Sequence, residues 1–351
     1  MTDPTPERPP RRPRYAGKNP RRFHEKYKEH QPDRYADDVA KVLAGGKTPA
    51  GMHRPIMVQE ILANLAPRPG EVAVDCTLGY GGHAQVLLAA VQPGGRLLAV
   101  DADPIELPKT EARLRALGYP DESLVIRRMN FAGVRQFIFG EAPDGADVLL
   151  ADLGLSSMQI DNPQRGFTFK SDGPLDMRMN SEHGQPASAL LSKLEKGDLS
   201  ELLVKNADLP SAEQLATAIL QAHETQPLTT TQALATVVRQ ACLRLPTDAN
   251  RAPDDMVRGV FQALRIAVND EFGALDTFLR NLPYCLRPGG RIAILTFHSG
   301  EDRRVKESFK TGLQNGSYAS VTKDVIRTSR EEQQANPRSA AAKLRIAIRG
   351  E

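Results

Sequence analysis

Cysteine is scarce in this chain: only Cys76, Cys242 and Cys285, far apart and with no C-x-x-C pair. That argues against a disulfide framework and a cysteine-rich zinc site, and it fits a reducing cytoplasm. No apolar run approaches the roughly 20 residues that a membrane-spanning helix needs, so no membrane partner is expected. The N-terminus has no apolar stretch that would serve as a secretory signal. No internal repeat is visible. What the chain does have is 40% hydrophobic and 25% charged residues, enough for a buried core and against global disorder. Its 351 residues fit one large domain with an insertion, or two domains.

The net charge of +3 hides an asymmetry. Residues 1–30 hold nine Lys/Arg, four Asp/Glu and six prolines, a balance of +5, which leaves −2 on the rest. Proline denies regular hydrogen bonding and like charges repel, so residues 1–48 read as a disordered, basic, proline-rich extension. Two roles stay open for it: attraction to RNA phosphate with release of counterions, or a solvated tail.

Order is expected to begin near Thr48. Ile56, Val58, Ile61, Leu62 and Leu65 make a helical stripe that Pro67, Pro69 and Gly70 stop. Four short apolar runs follow, at 72–75, 96–101, 124–126 and 148–152, with helical patterns at 83–91 and 104–117. Strands alternating with helices imply a parallel sheet with right-handed crossovers. Strands covered on both faces read as continuous apolar runs. The ligand then belongs beyond their carboxyl ends, where the runs deliver Asp75, Asp101 and Asp152. Residues 156–258 lack clear strands and show helical stretches at 198–204, 211–222 and 231–243. A long stripe from Phe261 to Leu282 comes next, closed by Pro288-Gly289-Gly290. A fifth strand is expected at 291–297, and a terminal hairpin from 319–326 and 343–348. The expected division is a sheet domain of 49–155 and 259–351, interrupted by a helical insertion of 156–258.

Asp75-Cys76-Thr77-Leu78-Gly79-Tyr80-Gly81-Gly82-His83 sits at a strand-to-helix turn. Glycine permits positive φ and close approach of the backbone to a ligand, and the following helix offers unpaired N–H groups. Asp101 lies 22 positions beyond Gly79, about the offset at which a strand-end carboxylate meets a ribose. The pattern suits S-adenosylmethionine. It also admits a nicotinamide cofactor, since Gly79, Gly81 and Ala84 fill the places of a dinucleotide turn. Asp75 before the turn and the segment at 151–179 argue against that alternative.

Residues 151–179 run from Ala151-Asp152-Leu153-Gly154 through Asn162-Pro163-Gln164-Arg165-Gly166-Phe167 to Leu175-Asp176-Met177-Arg178-Met179. Here the chain closely resembles the MraW family of small-subunit ribosomal RNA methyltransferases. Separate blocks carry the likeness: 53–60, 75–83, 98–104, 152–179, 261–271, 298–306 and 336–347. The first 48 residues fall outside it. The resemblance implies an α/β, Rossmann-like class I S-adenosylmethionine methyltransferase fold with an inserted helical domain. It implies methylation of N4 of a cytidine in the ribosomal decoding centre. By the same resemblance Gly81, Gly82, His83, Asp101, Phe131, Asp152 and Gln159 hold the cofactor, and the small subunit or its rRNA is the partner. No metal is expected, and the oligomeric state is left open, a homodimer included.

A cytosine N4 is a poor nucleophile because its lone pair is delocalised into the ring. Acceptors on its N–H groups raise its electron density and take up the released proton, while the remaining catalysis is alignment. Asp152 and His298, both at strand ends, are the candidate catalytic residues; an imidazole titrates near neutral pH. The alternative for His298 is to orient its own loop. Phe131 is placed to pack on the adenine or simply in the core. Phe167 and Phe169 either stack on a base or anchor the loop, and Asp176 with Arg178 forms a pair or faces phosphate. The helical insertion is the expected RNA-facing element, and the target base is expected to be everted.

Three departures from the family pattern stand out. Residues 205–214 replace a Tyr-Gly-Glu-Glu segment and a basic helix, which weakens the expected grip on phosphate. Gly300 replaces a leucine after His298-Ser299, which is expected to loosen that loop. The basic extension is additional. Two other activities are compatible with the sequence: a methyltransferase of this fold acting on another RNA or on protein, and a non-catalytic ribosome-assembly factor that keeps the pocket.

Overall fold

In a computed structural model that describes residues 55–245 and 251–351, seven strands form one sheet. They are β1 (Val72–Asp75), β2 (Arg96–Asp101), β3 (Leu124–Arg128), β4 (Ala146–Asp152), β5 (Leu286–Thr296), β6 (Tyr318–Val321) and β7 (Lys343–Arg349), in the order β3-β2-β1-β4-β5-β7-β6. The helices in chain order are α1 (Val58–Leu65), α2 (Gly82–Val91), α3 (Leu107–Arg115), α4 (Val134–Glu141), α5 (Ser157–Asp161), α6 (Ala187–Leu191), α7 (Lys196–Ala207), α8 (Ala212–Thr225), α9 (Thr231–Cys242), α10 (Pro253–Asn269), α11 (Glu271–Asn281), α12 (Ser299–Gln314) and α13 (Arg330–Ala335). The expected extension over 1–48 lies outside the described residues. Among the described residues no helix is long and apolar enough to cross a membrane.

Strands β1 to β5 are parallel, and β7 runs antiparallel to both β5 and β6. This is the Rossmann-like, class I methyltransferase form of the doubly wound sheet. Alternate residues of each strand serve opposite faces. Val74, Leu98, Leu149 and Ile292 point into one core, closed by Phe137 and Ile138 of α4, Phe278 of α11 and Phe309 of α12. Ala73, Leu97, Val148 and Ala293 point into the other, closed by Ile61 of α1 and Leu87 and Leu88 of α2. Burial on both faces is why these strands carry no polar alternation.

The strand order reverses at β1, which pairs with β2 on one side and β4 on the other. A crevice opens at such a switch point beyond the strand ends, and Asp75 and Asp152 sit at those two ends.

The structure corrects several expectations. Pro288-Gly289-Gly290 does not precede β5 but lies within it. Leu286 pairs with Ala146 and Arg291 with Val148, so residues 287–290 bulge outward without leaving the sheet, and Arg287 pairs with Asp147. The C-terminal strands do pair, but α13 and a 3-10 turn stand between them, so they form no tight hairpin. The stripe from Phe261 to Leu282 is two helices, broken at Asp270, whose φ is +46°. A third core gathers Leu199 and Leu203 of α7, Leu215 and Ile219 of α8, Leu234 and Val238 of α9, and Val257, Val260 and Leu264 of α10. The division expected after residue 258 therefore falls inside α10.

Candidate active site

The turn after β1 is built by packing as much as by any need to meet a ligand. Gly81 has φ +82°, and a Cβ there would stand 2.9 Å from Thr110 Cγ2 of α3. Only glycine takes both the angle and the approach without strain. Thr110 also donates its hydroxyl to the Gly79 carbonyl at 2.7 Å, which fixes the turn from below. Gly82 opens α2, whose N-terminus carries no side-chain cap, leaving amide donors at the crevice.

Around this turn four titratable side chains converge. Asp101 accepts from the Gly79 amide at 2.7 Å and, on its other oxygen, from the Asp103 amide at 2.8 Å. A carboxylate has about four acceptor sites, so lone pairs remain for further donors. Asp152 ties β4 to β1 through its own amide, which donates to Thr77 Oγ1 at 2.7 Å. Its Oδ2 lies 3.4 Å from His83 Nδ1. His83 Nε2 lies 2.9 Å from the Ile56 carbonyl. A carbonyl only accepts, so Nε2 holds the ring proton and Nδ1 faces Asp152 with its lone pair free in the neutral ring.

Asp75 is buried, 1% exposed, and accepts from the Thr77 amide at 3.0 Å. Burial pushes its carboxyl up to about 6; His83 and the amide pull it down, while Asp152 and Asp101 add to the rise. Burial alone would lower His83, but the hydrogen bond and charge of Asp152, with Asp75 and the Ile56 carbonyl, carry it above its ordinary value. Asp101 is likewise raised, chiefly by burial.

Two residues expected at the cofactor sit differently. Gln159 is 8% exposed. Its carbonyl oxygen caps α5 by accepting from Ser156 N, and its amide donates to Asp103 Oδ2 at 2.8 Å. It reaches Asp101 only through Asp103. Phe131 follows β3 and is half-buried, edge-on to Phe278 with centroids 5.3 Å apart.

His298 follows β5, whose Leu295 pairs with Asp152 of β4. Its Nδ1 accepts from Glu301 N at 3.4 Å, capping α12, and its Nε2 lies 3.2 Å from Glu301 Oε1. The Nδ1 contact suits a loop-orienting residue, while Nε2 is buried and makes no hydrogen bond among the described residues. Burial works against the Glu301 carboxylate, yet His298 and Arg265 hold it below its ordinary range. Glu271, His298 and Glu301 have the spacing of a metal cluster. Glu271, however, is already gripped by Arg265 at 2.7 and 2.9 Å, which balances the charge locally.

The model of the MraW methylase family matches residues 50–349. The chain belongs to the MraW methylase family. A relative from Alkaliphilus metalliredigens, ribosomal RNA small subunit methyltransferase H 2, is 47% identical over 98% of each chain. Another, from Lachnoclostridium phytofermentans and named methyltransferase H 1, is 46% identical over 97% of this chain and 93% of its own. A methyltransferase H from Anaeromyxobacter sp. strain K is 39% identical over 84% of this chain and 96% of its own. The extension is therefore not additional in every comparison. The Alkaliphilus relative aligns over 347 residues, which takes in nearly all of it.

The donor set suits the methyl donor of this MraW methylase. Burial raises the Asp75 carboxyl, and Asp152 and Asp101 stand close enough to add to the rise. Such an acidic pocket favours a ligand bearing an ammonium and a sulfonium, and Asp101 keeps acceptors for ribose hydroxyls.

Other expectations resolve in detail. Phe169 packs edge-on to Phe261 at 5.4 Å, and with Phe167 lies against the helical core, so both anchor the loop. Arg178 grips Asp176 with two bonds, of 2.8 and 2.7 Å. Gly300 does not loosen its loop: a Cβ there would stand 2.7 Å from Phe272 Cζ. In the altered segment 205–214, Asp208 accepts from Ser299 at 3.0 Å and lies 3.5 Å from Arg303, so it docks on the start of α12. Sequence reasoning missed Thr77, Asp103, Arg165 and Glu301. Only the family blocks at 98–104, 152–179 and 298–306 marked the last three, and they did so without a role.

Proposed function

We propose that this methyltransferase transfers a methyl group from S-adenosylmethionine to N4 of a cytidine in the decoding centre of small-subunit ribosomal RNA. The names of its relatives support the RNA class, and the Asp152–His83 pair at the switch point supports the chemistry. That pair is the observation on which the reading rests.

In this proposal Gly81, Gly82 and the open end of α2 hold the amino-acid end of the cofactor, and Asp101 takes the ribose hydroxyls. Phe131 lines the adenine side. Gln159 supports Asp101 through Asp103. When bound, the cofactor supplies an electrophilic methyl carbon already activated by its sulfonium. Asp152 accepts an N–H of the target amine and raises its electron density. As the new carbon–nitrogen bond forms and the carbon–sulfur bond breaks, the nitrogen sheds one proton to Asp152. His83 Nδ1, 3.4 Å away, is placed to relieve Asp152 of it. His83 cannot swing away without giving up Ile56, so the acceptor is oriented before the reaction. His298 is kept as a second proton acceptor only if it exchanges its cap on α12. The cytidine is everted from its helix to reach Asp152, with residues 156–258 as the RNA-facing part and the cytoplasmic small subunit as partner.

The test is nucleotide-resolved analysis of small-subunit rRNA from cells with and without the protein. Loss of one N4-methyl mark in the decoding centre is expected. An unchanged modification map would remove the proposal, and a lost mark elsewhere would correct its target.

A further inference from the structure

The mechanism above uses Asp103 only as the link between Gln159 and Asp101 and leaves its buried ion pair with Arg165 without a role. Arg165 donates from Nη1 to Asp103 Oδ2 at 2.7 Å, with the two side chains 5% and 2% exposed. Its other arm, Nη2, donates to the carbonyls of Arg178 and Met179 at 3.2 and 2.8 Å. Asp103 is saturated: the same Oδ2 takes the Gln159 amide, and Oδ1 accepts from the Ile105 and Glu106 amides. The Asp103 amide in turn donates to Asp101 Oδ1 at 2.8 Å. A continuous chain of bonds thus runs from the backbone at 178–179, through one guanidinium and one carboxylate, to Asp101.

The far side of the same loop is held independently. Asn269, the last residue of α10, accepts from Met179 N at 2.7 Å and donates to Met177 O at 2.8 Å. The loop that follows Asp152 is therefore clamped between the helical core and the β2 rim. A buried ion pair is weak evidence for stability, because desolvation opposes the attraction, and position is its best-attested use. The planar guanidinium suits that use, since its two arms reach two partners in fixed directions.

We infer that Arg165 is a positioning residue for methyl transfer: it fixes the loop carrying residues 163–179 against the acid that faces the cofactor ribose. It touches no reacting atom and acts through Asp103 and through the carbonyls of residues 178 and 179. The inference deepens the proposed reading, in that it takes Asp101 as the ribose acid.

Arg165→Lys is the decisive variant. Lysine keeps a charge for Asp103 and lets the protein fold, but it cannot hold Asp103 and both carbonyls at once. Two readouts are needed. Hydrogen exchange on the protein without cofactor should show the amides of 175–180 opening about tenfold faster, with those of α7 to α9 unchanged. Steady-state kinetics on small subunits should show kcat down about tenfold or more, with the KM for the cofactor within about threefold of wild type. Arg165→Met, melted alongside, reports how much of any loss is stability. Wild-type kcat together with unchanged exchange in Arg165→Lys overturns the inference. So does a loss that falls entirely on KM or follows the melting temperature. Failure of the ribose reading is seen separately, as unchanged cofactor affinity in Asp101→Ala.

Discussion

Acidification should release the cofactor, and Asp75 should set where that happens. The Asp75 carboxyl stands at about 6, pushed up by burial and by the neighbouring Asp152 and Asp101. A ligand carrying ammonium and sulfonium charge favours the ionised form, so binding and deprotonation are linked. The sign follows: above this value Asp75 is already charged and affinity is flat; below it, binding must first expel a proton. If only the ionised pocket binds, apparent affinity scales with the ionised fraction, about one molecule in eleven at pH 5, which is about a tenfold weakening from the plateau. His83, raised above its ordinary value mainly by Asp152 against the pull of burial, adds a milder loss in the same direction. Asp75→Asn keeps an oxygen to accept from Thr77 N and removes the titration. Isothermal calorimetry from pH 5 to 8, in buffers of different ionisation heat, measures both affinity and proton release. Wild type should release protons near pH 6, and the Asn variant should lose most of the pH dependence. A flat wild-type profile, or an Asn variant that retains the full tenfold fall, would refute the reasoning.

Asp101→Ala should weaken cofactor binding by about tenfold or more with the fold intact, since it deletes acceptors for two hydroxyls; calorimetry and a melting curve check it. Asp152→Asn should cut kcat by about a hundredfold, the usual scale for a lost acid–base group, with a smaller change in cofactor affinity, read by transfer of labelled methyl groups to small subunits. His298→Asn should keep most of that activity, because asparagine is a good helix cap; a loss as deep as that of Asp152→Asn would make His298 the proton acceptor instead. Gly300→Leu, although it restores the wording of the family, should destabilise by about 1–3 kcal/mol through overpacking against Phe272, seen as a lower urea midpoint.

The sheet was legible wherever both faces are covered. Val72–Asp75 and Arg96–Asp101 have the bounds that their apolar runs suggest, because burial on both faces chose the apolar residues between their ends. β4 begins earlier than its apolar run because Asp147 sits inside it, buried, accepting from Val72 N and pairing with Arg287. A charge satisfied by a distant partner looks like a loop in one dimension. The start of β5 was hidden in the same way, since a proline and two glycines mark a turn locally and become a bulge only when β4 lies alongside. The break at Asp270 had no glycine or proline to announce it. What favours it is tertiary: Arg265 and Glu271 clasp across the corner, and Asn269 faces back to the loop at Met177 and Met179.

The site divides along the same line. The glycine turn and Asp101 are 22 residues apart, within one βαβ unit whose geometry is general, so spacing was enough to find them. Arg165 and Asp103 are 62 residues apart, joined across a loop that no periodicity describes. At His298 two roles compete. A histidine at a strand end looks like a proton acceptor from its chemistry alone, but the same position is the N-cap of α12, and the helix claims Nδ1 first. Where two roles compete for one lone pair, the backbone amide three residues ahead is always present and the substrate is not. A strand-end histidine therefore reads as catalytic only if its next helix is capped by something else.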